Sequence, residues 1–136
     1  MVGILVSTHL RLGEELLKVA VMIKGPLELA GFVSVERDKP VNDIGGELAE
    51  AIKKLDHGDG VLILTDIFGG TPANMAFSFM RDRKVEVVTG VNLPMLLALY
   101  DARATANLQE LACLAQETGK NNIHVAGKFL ENNPQQ

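Results

Sequence analysis

The chain of 136 residues has no tryptophan, one tyrosine and one cysteine, and aromatic residues make up only 4% of it. Without large aromatics, a stable core has to come from packed aliphatic side chains. The lone Cys113 excludes an intrachain disulfide and a metal site built from several cysteines. Between Leu111, Leu114 and Ala115 it reads as a small buried residue rather than a reactive thiol. Long apolar runs are missing too. The first, Val2 to Val6, is cut short by Ser7, Thr8 and His9, too soon for a secretory signal or a bilayer span. No later stretch reaches ~18 apolar residues without a charge, so a soluble, cytoplasmic protein with no membrane insertion is expected. Cations are not in excess: 13 Lys and Arg stand against 17 Asp and Glu, for a net charge of -4. Nucleic-acid surfaces need clustered cations, so nucleic acid is not an expected partner.

The residues that are present are 47% hydrophobic and 22% charged. The length fits one domain of ~100–150 residues, which can bury roughly two-thirds of its surface without a metal or disulfide staple. A single domain over residues 1–130 with a polar tail over 131–136 is expected.

Short β-like runs alternate with amphipathic helical stretches. Val2 to Ser7 and Gly60 to Thr65 are apolar on both alternating sets, as buried strands require. Phe32 to Glu36 and Val85 to Thr89 read as two more strands, and Ile123 to Ala126 as a short last one. Leu12, Leu16, Val19, Ala20 and Ile23 recur at helical spacing up to the stop at Gly25-Pro26. A second helix is expected from a cap at Asn42 or Asp43 to Leu55. A third runs from an N-cap at Thr71, with Pro72 at the first position, to about Arg81. A fourth spans about Pro94 to Arg103, and a fifth is capped by Asn107 and ended by Gly119. Strands alternating with helices give βαβ units, hence a doubly wound α/β domain with a mostly parallel sheet and helices on both faces.

Such sheets bind ligands beyond the carboxyl ends of their strands, where the winding reverses. Two polar clusters fall there: Ser7-Thr8-His9 after the first strand, and Asp66-Ile67-Phe68-Gly69-Gly70-Thr71-Pro72 after the third. First and third strands are commonly neighbours, so His9 and Asp66 can meet. A histidine whose one ring nitrogen donates to a carboxylate can act as a nucleophile through the other. Gly69 and Gly70 permit close backbone approach, and the amides opening the next helix, with the Thr71 hydroxyl, suit an anion carried on His9. These parts describe phosphoryl transfer through histidine with no metal and no cofactor. The residues alone leave a second reading open, in which His9 and Asp66 only cap and pack strand ends. His57, in a Gly- and Asp-rich turn, reads as solvated surface, and His124 as a half-exposed strand residue.

Rival chemistries on this fold lack their residues. There is no Gly-x-x-x-x-Gly-Lys nucleotide loop, and no Gly-rich turn after the first strand for a dinucleotide. A receiver domain phosphorylated on Asp66 would want metal-binding carboxylates where Ser7 and Thr8 stand.

At these residues the sequence resembles the IIA domain of the mannose family (mannose/fructose/sorbose type) of the bacterial phosphoenolpyruvate-dependent sugar phosphotransferase system. The likeness rests on Thr8-His9, on the block Leu64 to Asn74 and on Thr89-Gly90-Val91-Asn92-Leu93-Pro94-Met95, and it covers Val2 to about Val125. It implies a phosphotransferase component in which His9 is phosphorylated on Nε2 by phospho-HPr and passes the group to a IIB protein on a separate chain. It implies Asp66 as the paired carboxylate, Thr71 as the hydroxyl beside the phosphoryl group, and Phe68 on the docking face. Thr8, Gly69, Gly70 and Asn92 would border the same cleft. It also implies a homodimer whose last, antiparallel strand, Ile123 to Ala126 here, is exchanged between subunits. A regulatory protein, whose His9 phosphorylation state controls a binding partner, is the alternative role.

Overall fold

Two runs that are apolar at every position need cover on both faces, and they take the centre of the sheet. In the computed structural model, which describes residues 1–82 and 84–133, these runs are β1 (Gly3–His9) and β3 (Val61–Thr65). β2 (Ala30–Val35) lies outside β1, and β4 (Val85–Val88) lies outside β3. The order is β2-β1-β3-β4 and every pairing is parallel. The helices are α1 (Leu12–Lys24), α2 (Val41–Leu55), α3 (Thr71–Phe77), α4 (Leu93–Ala102), α5 (Leu108–Asn121) and α6 (Ala126–Asn132).

Strand side chains alternate in direction, so the sheet divides the core in two. Ile4, Val6, Leu62 and Leu64 meet Leu17 of α1, Leu96 and Leu99 of α4, and Leu111 of α5. Leu5, Val61 and Ile63 on the other face meet Ile44 and Leu48 of α2 and Ala76 of α3. Each buried Leu or Ile contributes roughly 1.5–3 kcal/mol, and these aliphatics replace the aromatics the chain lacks. From β1 the chain winds outward to β2, then crosses back beyond β1 to β3. The winding therefore reverses between β1 and β3, and the loops at their carboxyl ends form a crevice there.

One polar group is spent in the core to fix this geometry. Thr8, fully buried, accepts a hydrogen bond from the Gly13 amide at 2.7 Å, tying the first turn of α1 to the end of β1. Gly13 is needed for that approach: a Cβ there would lie 2.9 Å from Val6 Cγ1 and 3.1 Å from the Val6 carbonyl oxygen. A buried Arg103 performs a similar service at the opposite end of the sheet, donating to the carbonyls of Glu28 and Leu29. Burial lowers its guanidinium below the usual value.

Several expected boundaries shift for local reasons. β2 begins at Ala30 and ends at Val35, before Glu36. α2 starts earlier than an Asn42 or Asp43 cap allows, because extended Pro40 (φ -60°, ψ 145°) takes the N-cap place; its carbonyl accepts from the Asp43 and Ile44 amides. Thr71 is the first helical residue of α3 rather than its cap, which is Gly70. α3 stops at Phe77, short of Arg81, because the Ser78 hydroxyl takes the Met75 carbonyl (2.7 Å) and a 3₁₀ turn, Met80–Asp82, follows. α5 keeps its Asn107 capping box but runs through Gly119 to Asn121. Gly119 serves packing instead: a Cβ there would meet Met95 Cε at 2.9 Å. Cys113 is exposed, not buried, since the buried stripe of α5 runs through Leu108, Leu111, Ala112, Ala115 and Gly119.

The C-terminal expectation changes most. Residues 123–125 pair with no strand among the described residues, and Ala126 opens α6. Ile123 (74%) and Val125 (68%) stand exposed, and α6 buries no residue. His124 is exposed and stacks on Phe129, with ring centroids 4.7 Å apart. Glu131 and Asn132, expected in the tail, complete α6, while residues 134–136 lie outside the described residues. The accessible surface is 8078 Å², against about 6,900 Å² for a monomeric chain of this mass. Gly13→Ala should lower stability by about 1–3 kcal/mol in urea denaturation, because the added methyl would press on Val6 and Thr8. An unchanged midpoint would mean that α1 rides clear of β1.

Candidate functional site

Parallel register sets Ser7 of β1 beside Thr65 of β3, so the next residues along each strand reach the crevice together. There the His9 ring meets the Asp66 carboxylate: His9 Nδ1 lies 2.9 Å from Asp66 Oδ2. The same oxygen accepts the His9 backbone amide at 3.0 Å, and Oδ1 accepts the Ile67 amide at 3.1 Å. Asp66 is thus fixed at both oxygens and its side chain is 14% exposed, whereas the His9 side chain is 48% exposed.

The electrostatics follow from those contacts. Burial works to raise the Asp66 carboxyl, but the hydrogen bonds from the His9 ring and amide, with the ring's charge, outweigh it. The group is held below the ordinary carboxylate value and stays ionised at neutral pH. An ionised carboxylate can only accept, so Nδ1 must carry the hydrogen. In the neutral ring the lone pair is then on Nε2, at the open edge of the imidazole.

The glycine pair shapes that open edge. Gly69 takes a left-handed φ of 89°, turning the chain back over the ring. A Cβ on Gly70 would lie 2.8 Å from His9 Cε1 and 3.0 Å from Ile67 Cγ2, so only glycine fits between them. Asn74 pins the loop from below, its side chain donating to the Gly69 carbonyl at 3.3 Å and its amide to the Gly70 carbonyl at 2.9 Å. Thr71 is exposed at the opening of α3. Phe68 is 75% exposed and rests against Phe77, ring centroids 5.6 Å apart.

Two expected cleft residues are engaged elsewhere. Thr8 faces the core on the opposite side of β1 from His9, and its hydroxyl is occupied by Gly13. Asn92 caps α4 by accepting the Met95 amide (3.1 Å) and donates to the Gly119 carbonyl (3.1 Å), tying α4 to the end of α5. Both hold elements in place rather than presenting polar atoms to the cleft. Sequence reasoning gave Asn74 no role, although an asparagine a few residues beyond a Gly-Gly turn is a fair signal for a loop clasp. It missed Leu10, whose left-handed backbone (φ 49°) nothing in the residue type foretells. Beneath the site, the fully buried Ser7 and Thr65 hydroxyls have no hydrogen-bond partner among the described residues.

This arrangement can attack an electrophile through Nε2 while Asp66 keeps the Nδ1 proton and stabilises the positive ring that results. Its pH dependence has a definite sign. A carboxyl held below its unfolded value of about 3.9 stabilises the fold above that pH and ceases to as pH falls through its folded value. The stability gap between the native chain and Asp66→Asn, measured by urea denaturation, should therefore narrow when pH is taken below the carboxyl range. A gap that is constant with pH would show that the carboxylate charge adds nothing.

Comparison with known proteins places this geometry. The family model described as the PTS system fructose IIA component (EIIA-man) matches residues 3–116. The PTS system mannose-specific EIIAB component of Escherichia coli (strain K12) is 35% identical over 124 residues, which is 90% of this chain and 38% of that protein. The chain thus spans well under half the length of that relative. The PTS system fructose-specific EIIA component of Bacillus subtilis (strain 168) is 29% identical over 132 residues, covering 96% of this chain and 90% of that one. Among solved structures, the mannose/sorbose specific IIA subunit of the phosphotransferase system from Enterococcus faecalis matches with a TM-score of 0.82. It is 29% identical and covers 91% of this chain and 93% of that one.

Proposed function

Since the chain belongs to the mannose/fructose IIA family of the phosphotransferase system, we propose that it carries a phosphoryl group on His9 between two protein partners. The donor is the phosphohistidine of HPr and the acceptor is a IIB component, with sugar uptake and phosphorylation as the outcome. The work is done in the cytoplasm; among the described residues no helix is long and apolar enough to cross a membrane. The observation that carries the reading is the Nδ1–Asp66 contact, which leaves Nε2 as the reacting atom.

In the first transfer a bond forms between His9 Nε2 and phosphorus as the donor's nitrogen–phosphorus bond breaks. The donor histidine leaves neutral, and the His9 ring gains the positive charge that Asp66 opposes. Exchange between two histidines is nearly balanced in free energy, so the protein has only to align donor and acceptor and hold the oxygens. Gly70 lets the backbone come close to Nε2, and the Thr71 hydroxyl is the side chain assigned to the phosphoryl oxygens. Phe68 belongs to the docking face, with Ile67 (57% exposed) next to the ring.

The working form is a homodimer in which Ile123 to Ala126 adds an antiparallel strand to the partner's sheet. Three observations support it: the exposed alternation of Ile123 and Val125, an α6 that buries nothing, and the surface in excess of a monomer's. The tie from Asn92 to Gly119 puts the end of α5 at the carboxyl end of β4, so the segment leaves beside an edge strand and can return along one. Beside that edge is a groove of about 300 Å³ lined by Val87, Val88, Ala112 and exposed Cys113.

His9→Ala should take no label from phosphoenolpyruvate, enzyme I and HPr, while Asp66→Asn should take it about 10²-fold more slowly through loss of the ring's partner. Undiminished labelling of His9→Ala would sink the carrier role. A chain ending at Asn121 should sediment as a monomer while the full chain sediments as a dimer. Identical sedimentation of the two would remove the strand exchange.

A further inference from the structure

Five glycines take left-handed backbone in this chain, as their missing Cβ allows, and only two other residues do so among those described: Leu10 (φ 49°) and Leu29 (φ 47°). Leu29 is repaid inside the molecule. Its side chain packs on the core beneath α2, and its carbonyl accepts from the Ile4 amide (2.9 Å) and from Arg103 (3.3 Å). Leu10 has no such return. Its amide is fixed to the Val35 carbonyl at 3.0 Å, which any residue could do, and its side chain is 56% exposed and outside both core clusters. Glycine would relieve the strain there without taking a side chain from either core cluster.

Leu10 follows His9 directly, and the strained turn is what ends β1 and sends the chain into α1. Two apolar side chains of the loop that meets His9 are exposed as well: Ile67, whose Cγ2 shares the space over Gly70 with His9 Cε1, and Phe68, the next residue along. Strain held at a functional site and uncompensated within the fold points to use outside it. We infer that Leu10 is a specificity-determining residue, a docking anchor next to His9 in the chain, left exposed on a strained backbone to pack against the phosphohistidine donor. This rests on the carrier role proposed above and assigns one residue its share in choosing the partner. Burial of a leucyl side chain in the complex accounts for about tenfold in affinity.

The test uses the full chain with phospho-HPr as the varied donor, comparing native protein, Leu10→Gly and Leu10→Met. Leu10→Gly should raise KM for phospho-HPr about tenfold with kcat within about twofold, and its melting temperature should equal or exceed the native one. Leu10→Met, which keeps an apolar reach, should bring KM back to within about twofold of native. A KM unmoved by Leu10→Gly would overturn the inference. So would a fall in both melting temperature and kcat, because Leu10 would then be internal support. If the native chain takes no phosphate from phospho-HPr, the carrier role itself has failed; if it does and KM is unmoved, only the anchor role is lost.

Discussion

One hydrogen bond, from the His9 ring to Asp66, joins the ends of the two central strands, and the geometry of the crevice depends on it. The bond needs two residues 57 positions apart brought to 2.9 Å, which only the adjacency and register of β1 and β3 can do. It also needs a carboxylate that remains ionised although largely shielded. The hydrogen bonds from the His9 ring and amide supply that, so side chain and backbone of the same histidine hold its partner. With the proton kept on Nδ1, the lone pair of the neutral ring is left on Nε2, at its open edge.

The rest of the molecule keeps those strand ends still. Both faces of β1 and β3 are covered by aliphatic side chains, with no aromatic in the buried core among the described residues. Close contacts at Gly13 and Gly70 fix α1 and the glycine loop against that centre without slack. Polar side chains near the crevice divide their labour. Thr8, Asn74 and Asn92 spend their hydrogen bonds on the scaffold, leaving His9 and Thr71 open to solvent. Leu10, Ile67 and Phe68, close to His9 or Asp66 in the chain, are all more than half exposed.

The central strands, the helix order and the meeting of His9 with Asp66 were legible in the sequence, because uninterrupted apolar runs and strand-end polar clusters each have few physical explanations. Boundaries were less legible where a backbone group decides them. Pro40 at an N-cap and Ser78 at a helix end act through local hydrogen bonds that residue type only hints at. Thr8 reads as a cleft residue from its polarity and Asn92 from the family resemblance, whereas the direction of each depends on which face of a strand or turn it occupies. Cys113 failed for the same reason, one step around the helix from its buried stripe. The segment from Ile123 to Ala126 has a strand's alternation, but no strand pairs with it among the described residues and Ala126 already opens α6, so alternation over so few residues does not fix its structure.

The central claim is that Asp66 holds the Nδ1 proton so that Nε2 takes the phosphoryl group. Nitrogen-15 NMR of the protein, labelled in its histidines and phosphorylated by phospho-HPr, tests it most directly. Phosphorus coupling to Nε2 of His9 is expected, with Nδ1 still protonated. Coupling at Nδ1, or phosphate on His57 or His124 with His9 unmodified, would contradict it.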